Sequence, residues 1–216
     1  MEKWLRMREP VNTLTHFAMF IAGIVGLVFL ILAGRGDAGA LVTGAIFGSS
    51  VIILYGASSL YHWVRASEQV QQWLRRVDHM SIYVLIAGTY TPILFGGLEG
   101  TWRWASISVI WALALIGIIL KIWIIQAPRA LTAVLYVGMG WMALIPLYQL
   151  LQNLSPTAVA LIFAGGAMYT IGAIIYATKA FNILPAKFGF HEVFHLFVMA
   201  GTLFHYFTIY FYLMPR

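Results

Sequence analysis

Residues 14–33, LTHFAMFIAGIVGLVFLILA, contain no Asp, Glu, Lys or Arg. An α-helix rises 1.5 Å per residue, so about 20 such residues cross the roughly 30 Å hydrocarbon core of a bilayer. Working outward, comparable apolar runs recur at about 41–63, 79–97, 104–125, 130–150, 157–177 and 192–213. The pattern predicts an all-α membrane protein, a bundle of seven transmembrane helices. The composition agrees: of 216 residues, 62% are hydrophobic and 9% charged, with a mean hydropathy of +0.87. Soluble domains carry roughly 45–50% apolar and about 25% charged residues. With 13 basic and 7 acidic residues, the chain cannot cover a water-facing surface. A soluble enzyme, a DNA-binding module and a disordered chain are excluded. The net charge of +6 is expected in membrane-flanking loops, since no basic stripe with interleaved aromatics points to nucleic acid. Without Cys, disulfide frameworks and thiolate metal sites are ruled out.

The first apolar stretch, from about Val11 to Ala33, is too long for a signal-peptide core and shows no cleavage site. Connectors are short turns: Gly34-Arg35-Gly36-Asp37, Gly96-Gly97-Leu98-Glu99-Gly100 and Asn153-Leu154-Ser155-Pro156. A longer polar loop is expected from about Val64 to Val77. No linker, low-complexity tract or internal repeat appears, so residues 1–216 read as a single seven-transmembrane domain, and an inverted-repeat transporter is disfavoured. One set of flanks holds Lys3, Arg6, Arg8, Arg65, Arg75, Arg76, Lys121, Arg129, Lys179 and Lys187; the other holds Arg35, Arg103 and Arg216. The positive-inside rule then predicts a cytoplasmic N-terminus and an outside C-terminus, in the inner (plasma) membrane. Gly44-x-x-x-Gly48 and Gly165-Gly166 suit close helix packing, and Trp63, Trp102, Trp104 and Tyr212 suit interfacial anchoring.

Ionisable residues in or against apolar spans are costly and mark function. Ser58 and His62 lie four apart at the end of span two, Asp78 and His79 open span three, and His191 and His195 lie four apart at the start of span seven. Glu9, Asn12 and His16 lead into span one. All converge on one depth of the bilayer. Two His at i, i+4 share a helix face and suit one metal ion. A third from another helix, for which His62 is the natural choice, would complete the three protein ligands of a catalytic zinc site. Zinc lowers the pKa of a bound water from about 15.7 toward 7. Asp78 can take that proton, and Ser58 can hold the water or polarise a carbonyl. Imidazole also accepts other divalent metals, so zinc is an expectation of ligand type.

His191-Glu192-Val193-Phe194-His195 matches the HExxH protease pattern, yet Val198 and Gly201 stand where the extended form needs Gly and His, and no acidic residue follows Glu192. Glu192 therefore reads as a first-turn charge at a helix N-terminus. His205, about 15 Å beyond His195 along the helix, lies outside the same coordination shell.

Together, Glu9-x-x-Asn12-x-x-x-His16, Ser58-x-x-x-His62, Asp78-His79-x-x-Ile82-Tyr83 and His191-x-x-x-His195 resemble the hemolysin III branch of the progestin and adipoQ receptor (PAQR) superfamily. The run Ala87-Gly88-Thr89-Tyr90-Thr91-Pro92 adds to the match, which extends from about Glu9 to the C-terminus. The resemblance implies seven spans, a cytoplasmic N-terminus, and zinc held by His62, His191 and His195, with Asp78 and Ser58 at the water. It implies ceramidase-type amide hydrolysis, as in related receptors and alkaline ceramidases. The adiponectin-receptor branch has Gln in place of Glu192, in keeping with a minor role for that carboxylate, and the missing long soluble N-terminal region argues against a hormone receptor. The expected function is therefore zinc-dependent hydrolysis of an amide or ester in a membrane lipid, contributing to lipid homeostasis, with lipid substrate and bilayer as partners. Two rivals remain: a pore or cytolysin, as the branch name suggests, and a sensor with structural zinc. A retinal pump is disfavoured because span seven has no mid-helix Lys.

Overall fold

The computed structural model describes residues 7–123, 128–184 and 188–215. The chain runs α1 (Pro10–Ala33), α2 (Ala38–Trp63), α3 (Glu68–Gly97), α4 (Gly100–Trp123), α5 (Arg129–Gly140), a 3-10 turn (Met142–Leu144), α6 (Leu147–Asn153), α7 (Pro156–Thr178) and α8 (Phe190–Thr208). A π-helical turn, Ile209–Leu213, extends α8. Helix starts follow local chemistry. Proline opens α1 and α7, where its missing N–H and fixed φ cost nothing. Asp37 accepts from the Ala40 N–H at 2.9 Å, and Ser155 from that of Ala158 at 3.2 Å, capping α2 and α7.

Apolar side chains cover the outside of the bundle, and its interior mixes polar residues with a hydrophobic core. On α1, Leu14, Phe17, Ile21, Ile24 and Val28 are exposed, whereas Asn12, Thr13, His16, Gly23 and Gly26 are buried. In water that arrangement would be reversed; against lipid tails it is the stable one. Trp63, Trp102, Trp104 and Tyr212 are exposed near helix ends, as expected of interfacial anchors. Gly48 lets α2 approach α1 closely, since a Cβ there would stand 2.7 Å from Leu27 Cδ1 and 3.2 Å from its Cα.

Six helices are long and apolar enough to cross a membrane, and α5 with its 3-10 turn and α6 form a seventh span bent by 53°. Two expectations need correction. Residues 68–77, expected within a polar loop, form the first turns of α3. They are strong helix formers with charged side chains, and hydropathy does not register a helix that projects beyond the apolar core. The fifth span, expected as one rod over 130–150, is broken because Pro146 cannot donate a backbone N–H. Tyr90 of α3 repairs the break, donating to Gly140 O at 2.6 Å and accepting from the Ala143 N–H at 2.9 Å. Backbone groups freed inside a membrane persist only where the protein satisfies them in this way. Of the basic residues counted above, Lys3, Arg6, Lys187 and Arg216 lie outside the described residues.

Candidate metal centre

The end of α2, the start of α8 and the start of α1 meet at one end of the bundle. Backbone bonds from Arg8 N–H to Trp63 O and from Glu9 N–H to His62 O, both 3.1 Å, pin the entry to α1 against the exit from α2. His62, His191 and His195 come together there, each offering a ring nitrogen within 4.8 Å of the others. Their ring centroids are 5.2 Å (His62–His191), 4.9 Å (His62–His195) and 4.7 Å (His191–His195) apart. Nitrogens on a tetrahedral ion with bonds of about 2.0–2.1 Å stand roughly 3.4 Å apart, so small ring rotations would close the group on one cation.

The donor set fits such an ion. His62 is fully buried and its Nδ1 is 2.5 Å from Glu9 Oε2, which leaves Nε2 buried and without a partner. A carboxylate on one nitrogen fixes the tautomer and presents the other as a ligand. Burial pushes Glu9 up, but the hydrogen bond and charge of His62, together with Arg8 and Asn12, outweigh it and hold the carboxyl at about 2. Asn12 donates to Glu9 at 3.2 Å and to Glu192 Oε1 at 2.8 Å, tying α1 to α8. Glu192 Oε2 accepts from the Gly189 N–H at 2.8 Å. Both of its oxygens are thus occupied by the α8 N-terminus and α1, as expected of a first-turn charge.

The other expected residues lie around the triad. Ser58, Asp78, His79, His16, His191 and His195 line one cavity with an empty volume of about 1610 Å³, counting the part open to the surroundings. Ser58 is buried, and Asp78 faces its hydroxyl. Asp78 and His79 lie in the third turn of α3 and do not open it, a consequence of the longer helix. His16 stacks on His195, with centroids 3.7 Å apart and planes 16° from parallel. Parallel rings cannot both aim in-plane lone pairs at one ion, so His16 supports the triad from behind. Beyond this end the cavity is walled mainly by apolar side chains such as Ile82, Leu85, Ile86, Ile93, Val137 and Ile162.

Sequence reasoning placed Glu9 and Asn12 at the right depth but assigned them no partners. Their i, i+3 spacing was the available signal, since it puts both on one helix face. Tyr136 and Tyr176 also line the cavity, a position the sequence does not signal because aromatic residues inside apolar spans look like ordinary packing.

A helical bundle with a largely buried histidine triad that could hold a metal ion, at the head of an internal cavity, defines a class of heptahelical membrane proteins. A family model described as "Haemolysin-III related" matches residues 4–206. The chain is 38% identical over 207 residues to "Hemolysin-3 homolog" of Bacillus subtilis (strain 168), covering 94% of this chain and 93% of that protein. It is 35% identical over 221 residues to "Hemolysin-3" of Bacillus cereus, covering 99% and 98%. "Monocyte to macrophage differentiation factor" of Homo sapiens is 26% identical over 213 residues, covering 95% and 84%. The chain belongs to the hemolysin III family and is an integral, multi-pass membrane protein.

Proposed function

We propose that this protein is a metal-dependent hydrolase that cleaves an amide or ester bond in a membrane lipid, with zinc as the resident ion. The observation that carries the reading is the position of the triad: His191 and His195 line the same cavity as Ser58 and Asp78, and the rest of that cavity is walled mainly by apolar side chains. Such a site takes a lipid chain and presents its polar end to a cation. The charge distribution further supports a reaction at the cytoplasmic leaflet.

A divalent ion supplies a water of lowered pKa and polarises a carbonyl. Glu9 holds His62 in the ligating tautomer. Asp78 accepts the water's proton and passes it to the leaving amine or alcohol as the acyl carbon gains hydroxide. Ser58 donates a hydrogen bond to the water or the carbonyl oxygen. The apolar wall aligns the chain and keeps bulk water away.

The test combines metal analysis with lipid products. Wild-type protein should hold one ion per chain and release free fatty acid from bacterial lipid extracts. His191→Ala should lose the ion, and Asp78→Asn should keep it but lose hydrolysis. Stoichiometric metal in His191→Ala, or undiminished release by Asp78→Asn, would overturn the assignment. The name hemolysin-3 carried by the Bacillus relatives favours cytolysis as a second reading, which predicts ion leak from liposomes containing His191→Ala. The apolar cavity wall supplies little polar lining for ions.

A further inference from the structure

His205 takes no part in the metal site. It lies on α8 ten residues beyond His195, which places it about 15 Å farther along the helix axis. His205 is 7% exposed and lines the same cavity as His191 and His195, whose wall is mainly apolar. Its Nδ1 is sealed from solvent and has no hydrogen-bond partner.

The neighbouring polar groups are already satisfied. Thr202 Oγ1 donates to Val198 O at 3.0 Å and receives the Tyr55 and Tyr169 hydroxyls at 2.8 and 2.9 Å. The Tyr169 ring stands edge-on to His205 with centroids 5.5 Å apart. A neutral imidazole carries one donor and one acceptor, and leaving the buried Nδ1 unpaired in a mainly apolar interior costs free energy. The fold also makes room for this ring: a Cβ on Gly165 would stand 2.1 Å from His205 Nδ1 and 2.2 Å from its Cε1.

We propose that His205 is a second binding station in the cavity, one that recognises a hydroxyl group on the hydrocarbon chain of the bound lipid. A hydroxyl can donate to a ring nitrogen or accept from it, so it suits either tautomer of the ring. The position along the chain follows from length. An extended chain advances roughly 3.3–3.6 Å per three bonds, so about 15 Å is about a dozen bonds from the group at the metal. The preferred ligand is a mid-chain hydroxylated acyl lipid. The inference rests on the reading that a lipid chain fills the cavity, but it does not require hydrolysis.

The test is displacement of a fluorescent stearate analogue from the full-length protein in lipid nanodiscs, read with and without chelator. 12-Hydroxystearate should displace it at about fivefold to tenfold lower concentration than stearate, the worth of one hydrogen bond in a dry site. 3-Hydroxystearate, whose hydroxyl falls short of His205, should behave as stearate does. His205→Leu should retain stearate binding and lose the preference for the 12-hydroxy acid. Gly165→Ala, which displaces the ring while leaving the imidazole present, should lose it too. Equal displacement by 12-hydroxystearate and stearate in the wild type overturns the proposal, as does a preference that survives His205→Leu. Displacement by no fatty acid overturns it together with the lipid reading of the cavity. A 12-hydroxy preference in a protein that hydrolyses no lipid would sustain this station while the hydrolase assignment fell.

Discussion

At the scale of single residues, the candidate metal centre rests on a carboxylate outside the histidine triad. Glu9 reaches across from the start of α1 to His62 Nδ1 and is itself held by Arg8 at 3.1 Å and by Asn12. Partners of this kind commonly set metal affinity by 10–100-fold. Glu9→Gln should therefore weaken metal binding by about that factor in a chelator competition while leaving one site per chain; an unchanged affinity would remove Glu9 from the site. Glu192 provides the contrast. Its oxygens are committed to Gly189 N–H and Asn12, and Gln at the same position of a helix N-terminus also caps. Glu192→Gln should retain both metal and fatty-acid release, whereas a protease-like general base at this position would lose release alone. The HExxH spacing is legible in the sequence; the commitment of Glu192 is not, because it depends on Asn12 from a helix 180 residues away.

Among elements, the informative piece is the broken fifth span. Hydropathy made every span legible because lipid solvation acts on each apolar run separately, and His spacing made the triad legible because i, i+4 pairs share a face. Neither signal reports a break inside an apolar run. Pro146 hints at one, but whether a proline kinks or ends a membrane helix depends on what satisfies the freed backbone, and here that is Tyr90, from a helix more than 50 residues upstream. Tyr90→Phe would leave Gly140 O and the Ala143 N–H without that partner in an apolar setting, at about 1–3 kcal/mol for each group. The variant should denature at lower temperature in detergent and still bind metal at full stoichiometry, since Tyr90 lies away from the triad. An unchanged thermal midpoint would mean that the break is satisfied by other means. The same reasoning explains the third helix: its first turns are polar, so an apolar-run criterion begins the span only where the bilayer does, and it opens at Asp78 and His79 a helix that has already made nearly three turns.

For the molecule as a whole, the alternation of seven spans places Arg8, Arg65, Arg75, Arg76, Lys121, Arg129 and Lys179 at the metal end and Arg35 and Arg103 at the other. Insertion leaves Lys- and Arg-rich short loops on the cytoplasmic side, so the metal end should face the cytoplasm. Under the proposed hydrolysis, that orientation would decide which leaflet supplies the lipid, and it is directly testable because the chain contains no Cys. A single cysteine at Ala66→Cys, in the connector between α2 and α3, reports the metal end; one at Glu99→Cys, between α3 and α4, reports the opposite end. Both positions are exposed and neither side chain makes a hydrogen bond among the described residues. A membrane-impermeant maleimide applied to intact spheroplasts should label Glu99→Cys and spare Ala66→Cys until the membrane is permeabilised. The reverse pattern would turn the bundle over, place the triad at the outer leaflet, and require that basic flanks have been retained there against the usual bias.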